Sequence, residues 1–90
     1  MPRYLVETFL ARGGAGERAA RERRARAAAD ELTRAGARVR FGGTIHVPED
    51  EICFFTFVTE SIREAALVAQ RAGLEPIRVV EAVSSGKEET

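Results

Sequence analysis

Hydrophobic and polar positions along this chain change period four times, and the changes predict a β-α-β-β-α-β order. Tyr4-Leu5-Val6-Glu7-Thr8-Phe9-Leu10 alternates as a short strand, with Leu5, Glu7 and Phe9 on one side and Tyr4, Val6, Thr8 and Leu10 on the other. From Glu17 to Ala35 the period becomes helical: Ala25, Ala28, Ala29, Leu32 and Ala35 recur at spacings of three and four. Alanine and arginine are strong helix formers, and Gly36 stands where a left-handed cap is wanted. Strand-like spacing returns at Val39–Val47 and, after the polar turn Pro48–Glu51, at Ile52–Val58. Ser61 and Glu64 have capping-box spacing, so Ser61 opens a second helix with Ile62, Ala65, Ala66 and Ala69 as its buried stripe. Gly73 and Pro76 stop that helix, Ile77–Val83 forms a fourth strand, and Ser84–Thr90 has no apolar anchor and is expected to fray as a flexible tail.

This order predicts one α+β domain over residues 1–83, of ferredoxin-like type. Two helices would lie on one face of a four-stranded antiparallel sheet. The third strand then raises a question about the other face. Ile52, Phe54 and Val58 point one way with Thr56, while Cys53, Phe55 and Phe57 point the other. A sheet with one solvated face should be polar at alternate positions, and this strand is apolar at nearly all of them. Burying one phenylalanine contributes roughly 1.5–3 kcal/mol, so leaving Phe55 and Phe57, or Ile52 and Phe54, in water forgoes on the order of several kcal/mol. A second copy of the chain, packed sheet to sheet as in a dimeric α+β barrel, is the expected cover.

Composition narrows the function classes. The chain has 90 residues, and no run approaches the roughly 18 apolar residues of a membrane span. The start, Met1-Pro2-Arg3-Tyr4, passes straight into the first strand without a basic-then-apolar leader, and the one cysteine forms no intrachain disulfide. Both point to the cytoplasm. A net charge of zero conceals ten arginines against five acids in residues 1–40 and four bases against nine acids in residues 41–90. The helix arginines spread around its circumference, Glu17 and Glu22 interrupt them, and no aromatic residues interleave to stack bases. A solvated helix face, rather than a nucleic-acid surface, is the expectation.

Candidate chemistry gathers near the hairpin Gly43–Val58. His46 is the only histidine, suited to acid–base work or to a divalent metal, although a lone strand histidine is more often packed or at the surface. Glu7 alternates with Leu5 and Phe9, and a carboxylate on an apolar strand face needs a partner such as Arg78 or Arg40, or a function. Tyr4, on the same strand, completes a candidate ligand set of His46, Glu7 and Tyr4. The acidic cluster Glu49-Asp50-Glu51 reads as a solvated turn, and Cys53 as a small core residue without a basic neighbour. Gly42-Gly43 within a strand marks a bulge or a close approach. The glycine-rich Arg12–Gly16 lacks the residues of a phosphate loop and reads as a plain connection. No Ser/His/Asp set supports hydrolase chemistry.

Tyr4-Leu5-Val6-Glu7, Val47-Pro48-Glu49-Asp50-Glu51-Ile52-Cys53-Phe54, Ala69-x-x-Ala72-Gly73-Leu74 and Ile77-x-Val79-Val80-Glu81-Ala82-Val83 occur in an order and spacing that resemble a family of short bacterial proteins of unknown function. That family includes a nickel-binding protein with a dimeric ferredoxin-like fold. The resemblance, over about residues 3–83, implies a ferredoxin-like homodimer and raises nickel or another divalent ion as a ligand, with His46 as the candidate metal residue. Nickel-type members tend to carry His-Ser-Tyr in the second strand, and ungapped registration on Cys53 puts that histidine at Gly43. His46 lies three residues further on. The expectation is a small dimeric binding protein for a metal ion or a small molecule. The alternative is a cofactor-independent enzyme of monooxygenase or isomerase type, using His46 or Glu7 in a pocket over the sheet.

Overall fold

The computed structural model describes residues 1–85. Its elements are β1 (Arg3–Phe9), α1 (Ala15–Arg34), β2 (Val39–Val47), a 3₁₀ turn (Pro48–Asp50), β3 (Ile52–Thr59), α2 (Ile62–Arg71) and β4 (Arg78–Ala82). The strands form one antiparallel sheet in the order β2-β3-β1-β4. This is the ferredoxin-like α+β arrangement, with both helices on one face. Most of the expected tail, residues 84–90, lies outside the described residues; Ser84 and Ser85 are exposed.

The helix-side core is built by Val6 and Leu10 of the first strand segment, Cys53, Phe55 and Phe57 of β3, and Leu74 beyond α2. Alanines 25, 28 and 29 with Leu32 line the buried side of α1, and such short side chains let a helix backbone approach a sheet closely. Phe41 meets Phe57 with ring centroids 5.6 Å apart and planes tilted by 55°, and the Arg26 guanidinium sits 5.2 Å from the Phe41 centroid. Ser61 caps α2 as its spacing implies, its hydroxyl accepting from the Glu64 N–H at 3.2 Å.

Two helix stripes differ from expectation. Ala35 is exposed, because α1 ends at Arg34 and the chain turns away through Gly36 at φ 108°. On α2 the buried positions are Ala65, Val68, Ala69 and Ala72, while Ile62 and Ala66 face solvent. Both sets satisfy a helical period; the choice between them depends on where the helix axis crosses the sheet, and Ile62 sits in the first turn.

The decisive local feature is in β2. Phe41 pairs with Phe57 and Gly43 with Thr56, so Gly42 is one residue more than β3 can match, a β-bulge. Gly43 takes φ 121°, a backbone region that essentially only glycine enters without strain. Ahead of the bulge Phe41 faces the helices. Beyond it the alternation is reset: Thr44 and His46 face the helices, and Ile45 and Val47 face away. Replacing Gly43 with alanine is expected to lower unfolding stability by about 1–3 kcal/mol, whereas Gly16→Ala within α1 raises it by up to about 1 kcal/mol. Urea denaturation of the two variants against the parent checks both signs.

Candidate functional site

The register divides the sheet into rows, and the rows show what the candidate residues can do together. On the helix side, Thr8, Cys53 and His46 lie side by side across β1, β3 and β2. The next row is Val6, Phe55 and Thr44, and the one after it Tyr4, Phe57 and Phe41. On the opposite side Glu7 shares a row with Arg78, Phe54 and Ile45. Tyr4 and His46 are therefore on the same face but two rows apart, and Glu7 is on the other face. The three expected ligand residues do not converge within one chain, because strand alternation and the bulge separate them.

His46 lies beneath the N-terminal half of α1. Arg18 places its Nη1 3.2 Å from His46 Nδ1. A guanidinium has no acceptor, so it donates and Nδ1 accepts; the ring in this contact is neutral, with its proton on Nε2. That Nε2 and the Thr44 hydroxyl are buried without a hydrogen-bond partner among the described residues. Arg21 continues the polar layer. Its Nη1 donates to the Phe9 carbonyl at 2.9 Å and lies 3.4 Å from the Thr8 hydroxyl, while its Nε donates to Glu17 at 2.9 Å. Thr8 in turn donates to the Cys53 carbonyl at 2.8 Å. Further along the helix, Arg24 donates to the Ala72 carbonyl at the end of α2 at 2.9 Å.

The arginines are thus not all a solvated face. Arg18, Arg21 and Arg24 tie α1 to the sheet and to α2, and Arg18 and Arg21 are half-buried where the alanine stripe has not yet begun. Composition could not reveal this, since their partners are a side chain on β2 and two backbone carbonyls.

Cys53 is fully buried, and burial pushes its thiol pKa up, against the smaller opposing pull of Arg21 and Arg18. This is a core sulfur, as its apolar neighbours suggest. Glu17, on the surface, is held below the usual carboxylate range chiefly by its hydrogen bond to Arg21.

A divalent metal does not fit at His46. One ring nitrogen already accepts from a guanidinium, and a second cation there would be repelled. No group of three or more His, Cys, Asp or Glu residues able to hold a metal occurs among the described residues. A second copy docked on the open sheet face could not complete such a site either, because His46 faces the helices. An acid–base role over the sheet meets the same obstacle for His46, and no cavity occurs among the described residues.

On the open face, the Glu7 carboxylate accepts from Arg78 Nε at 2.6 Å, resolving the choice between Arg78 and Arg40. The Glu7 side chain is 17% exposed and Arg78 65%. Around this pair stand Leu5, Phe54, Ile52, Val47 and Val80, all half-buried, with Phe9 58% and Ile45 54% exposed. This is an apolar surface with one charged pair inside it. Among the described residues nothing covers it.

The protein is therefore a ferredoxin-like α+β domain with a polar layer under its first helix and an apolar sheet face that nothing covers among the described residues. Comparison with family models, with curated proteins and with solved structures finds no match to the chain.

Two measurements test the polar layer. Arg18→Ala is expected to cost about 1–2 kcal/mol of stability, His46→Ala a similar amount, and the double variant little more than either; long-range ¹⁵N NMR of the parent should place the imidazole proton on Nε2. For Cys53 the folded pKa is the raised one. Its contribution is therefore complete below the unfolded thiol's value of about 8.5 and is lost as pH rises through the folded value. Denaturation midpoints should fall at alkaline pH in the parent more than in Cys53→Ala.

Proposed function

We propose that this protein is a small homodimeric binding module, in which two copies meet through their open sheet faces and a small molecule is held between the sheets. The observation that carries the reading is the open face itself: bulky apolar side chains from β1, β2 and β3 stand half-buried or, at Phe9 and Ile45, exposed around the Glu7–Arg78 pair. Such a surface on a 90-residue chain is costly in water, and a matching surface on a second copy removes the cost. The resemblance of the chain to a family with a dimeric ferredoxin-like member supports the same reading.

Glu7 and Arg78 are the binding residues of this proposal. A carboxylate and a guanidinium enclosed by apolar side chains offer an acceptor and a fork of donors, which suits a small polar organic ligand. His46 and Tyr4 support the sheet from the helix side. The compartment is the cytoplasm, where the unpaired Cys53 stays reduced; no helix among the described residues is long and apolar enough to cross a membrane.

Sedimentation velocity at micromolar concentration is expected to give a dimer for the parent chain. Ile45→Glu should convert it to a monomer with unchanged far-ultraviolet circular dichroism, because Ile45 contributes mainly to the open face. A parent chain that sediments as a monomer would end the dimer proposal. Native mass spectrometry of the purified dimer, compared with Arg78→Ala, tests the ligand: bound small-molecule mass present in the parent and lost in the variant supports it, and equal occupancy in both removes Arg78 from the site.

A further inference from the structure

The distribution of size and charge over the open face specifies how a second copy would sit on it. Four rows cross that face. The first is Ala82, Arg3, Val58 and Arg40; the second Val80, Leu5, Thr56 and Gly43; the third Arg78, Glu7, Phe54 and Ile45; the fourth Phe9, Ile52 and Val47. Two asymmetries follow. Charge differs between the ends, since Arg3 and Arg40 occupy the first row and the Pro48–Asp50 turn, with exposed Glu49 and Asp50, projects beyond the fourth. Relief differs in the middle: at β2 and β3 the second row is low, with Gly43 bearing no side chain and an added Cβ meeting nothing within 4 Å, whereas Phe54 and exposed Ile45 stand up in the third.

The geometry points to an isologous dimer whose two-fold axis lies between the sheets and runs across the strands, between the second and third rows. This inference rests on the dimer reading above and goes beyond it by assigning the orientation and the contacts. The two sheets then stack with their strands running in opposite directions, an aligned packing modified by sheet twist. Phe54 and Ile45 of each copy fill the hollow over Gly43 and Thr56 of the other. The stems of Arg3 and Arg40 lie over the partner's apolar fourth row, and their guanidinium groups reach toward the acidic turn beyond it.

The other aligned arrangement, with the axis along the strands, is disfavoured on both counts. It brings the two first rows level, placing four arginines at one end of the interface, and sets the acidic turns at the other. Bulky and low rows also no longer face each other across the sheets. The face measures about 15–20 Å in each direction from strand spacing and rise, a footprint smaller than that of a standard specific interface, so end charges weigh appreciably in the choice.

Two experiments test the orientation. The first is a charge-reversal cycle on the full chain, with dimer Kd measured by sedimentation. Arg40→Glu and the paired change Glu49→Arg with Asp50→Arg should each weaken the dimer about tenfold or more, and their combination should recover most of the loss. If neither change weakens the dimer, or if the combination is no tighter than the product of the separate losses, the orientation is wrong while the dimer stands. The second needs no variant: raising salt should weaken the parent dimer by screening opposite charges, and strengthening with salt would indicate like charges facing and overturn the proposal. A parent chain that is monomeric throughout rejects the dimer itself, and the orientation with it.

Discussion

One unmatched residue in an edge strand governs both faces of this protein. Because Gly42 has no opposite number in β3, every side chain from Thr44 onward lies on the face opposite to the one unbroken alternation would give it. Unbroken pairing from Phe41 would send Ile45 and Val47 under α1 and expose His46 on the open face. The bulge instead turns a threonine and a histidine, both half-buried, toward the helix and presents two β-branched residues outward. Gly43, at φ 121°, provides the backbone conformation that follows the extra residue.

The first half of α1 is matched to that outcome. A helix resting on Thr8, Thr44 and His46 cannot use an alanine stripe alone, since the polar atoms beneath it need partners. Arg18 and Arg21 meet part of that need, one at the His46 Nδ1 and one at the Phe9 carbonyl and beside the Thr8 hydroxyl, while His46 Nε2 and the Thr44 hydroxyl have no partner among the described residues. From Ala25 onward the sheet beneath is aromatic and the helix turns to small residues, with Leu32 closing the far end. The helix is thus tuned along its length as well as around its circumference. It is also why a strand histidine with catalytic or metal-binding promise serves here as an acceptor for a guanidinium.

The open face follows a different logic. Its single carboxylate is satisfied by Arg78, and apart from Thr56 the rest of its centre is apolar. The helix side and the open side use the same two devices, charged groups given partners and large side chains set against small ones, but on the helix side both members come from one chain. On the open side the large and small side chains, and the opposite charges, occupy different rows of the same surface.

Much of this could be read in the chain itself. The element order, Ser61 as a helix cap, Cys53 as a core residue, the Glu7 partner among two arginines and the excess of apolar side chains on β3 all follow from local spacing and residue type, which act over a few neighbours. The Gly42-Gly43 pair could be recognised as a bulge or a close approach, yet its consequence could not, because the face taken by His46 depends on how many residues β3 sets against it. The α2 stripe shifted for a related reason: two helical registers were equally periodic, and the line along which α2 crosses the sheet selected Ala65, Val68, Ala69 and Ala72. The separation of Tyr4, Glu7 and His46, and the binding of α1 through Arg18, Arg21 and Arg24, belong to the same class. Local chemistry determines which elements form and what each can bury; the pairing of distant segments determines which side chains meet.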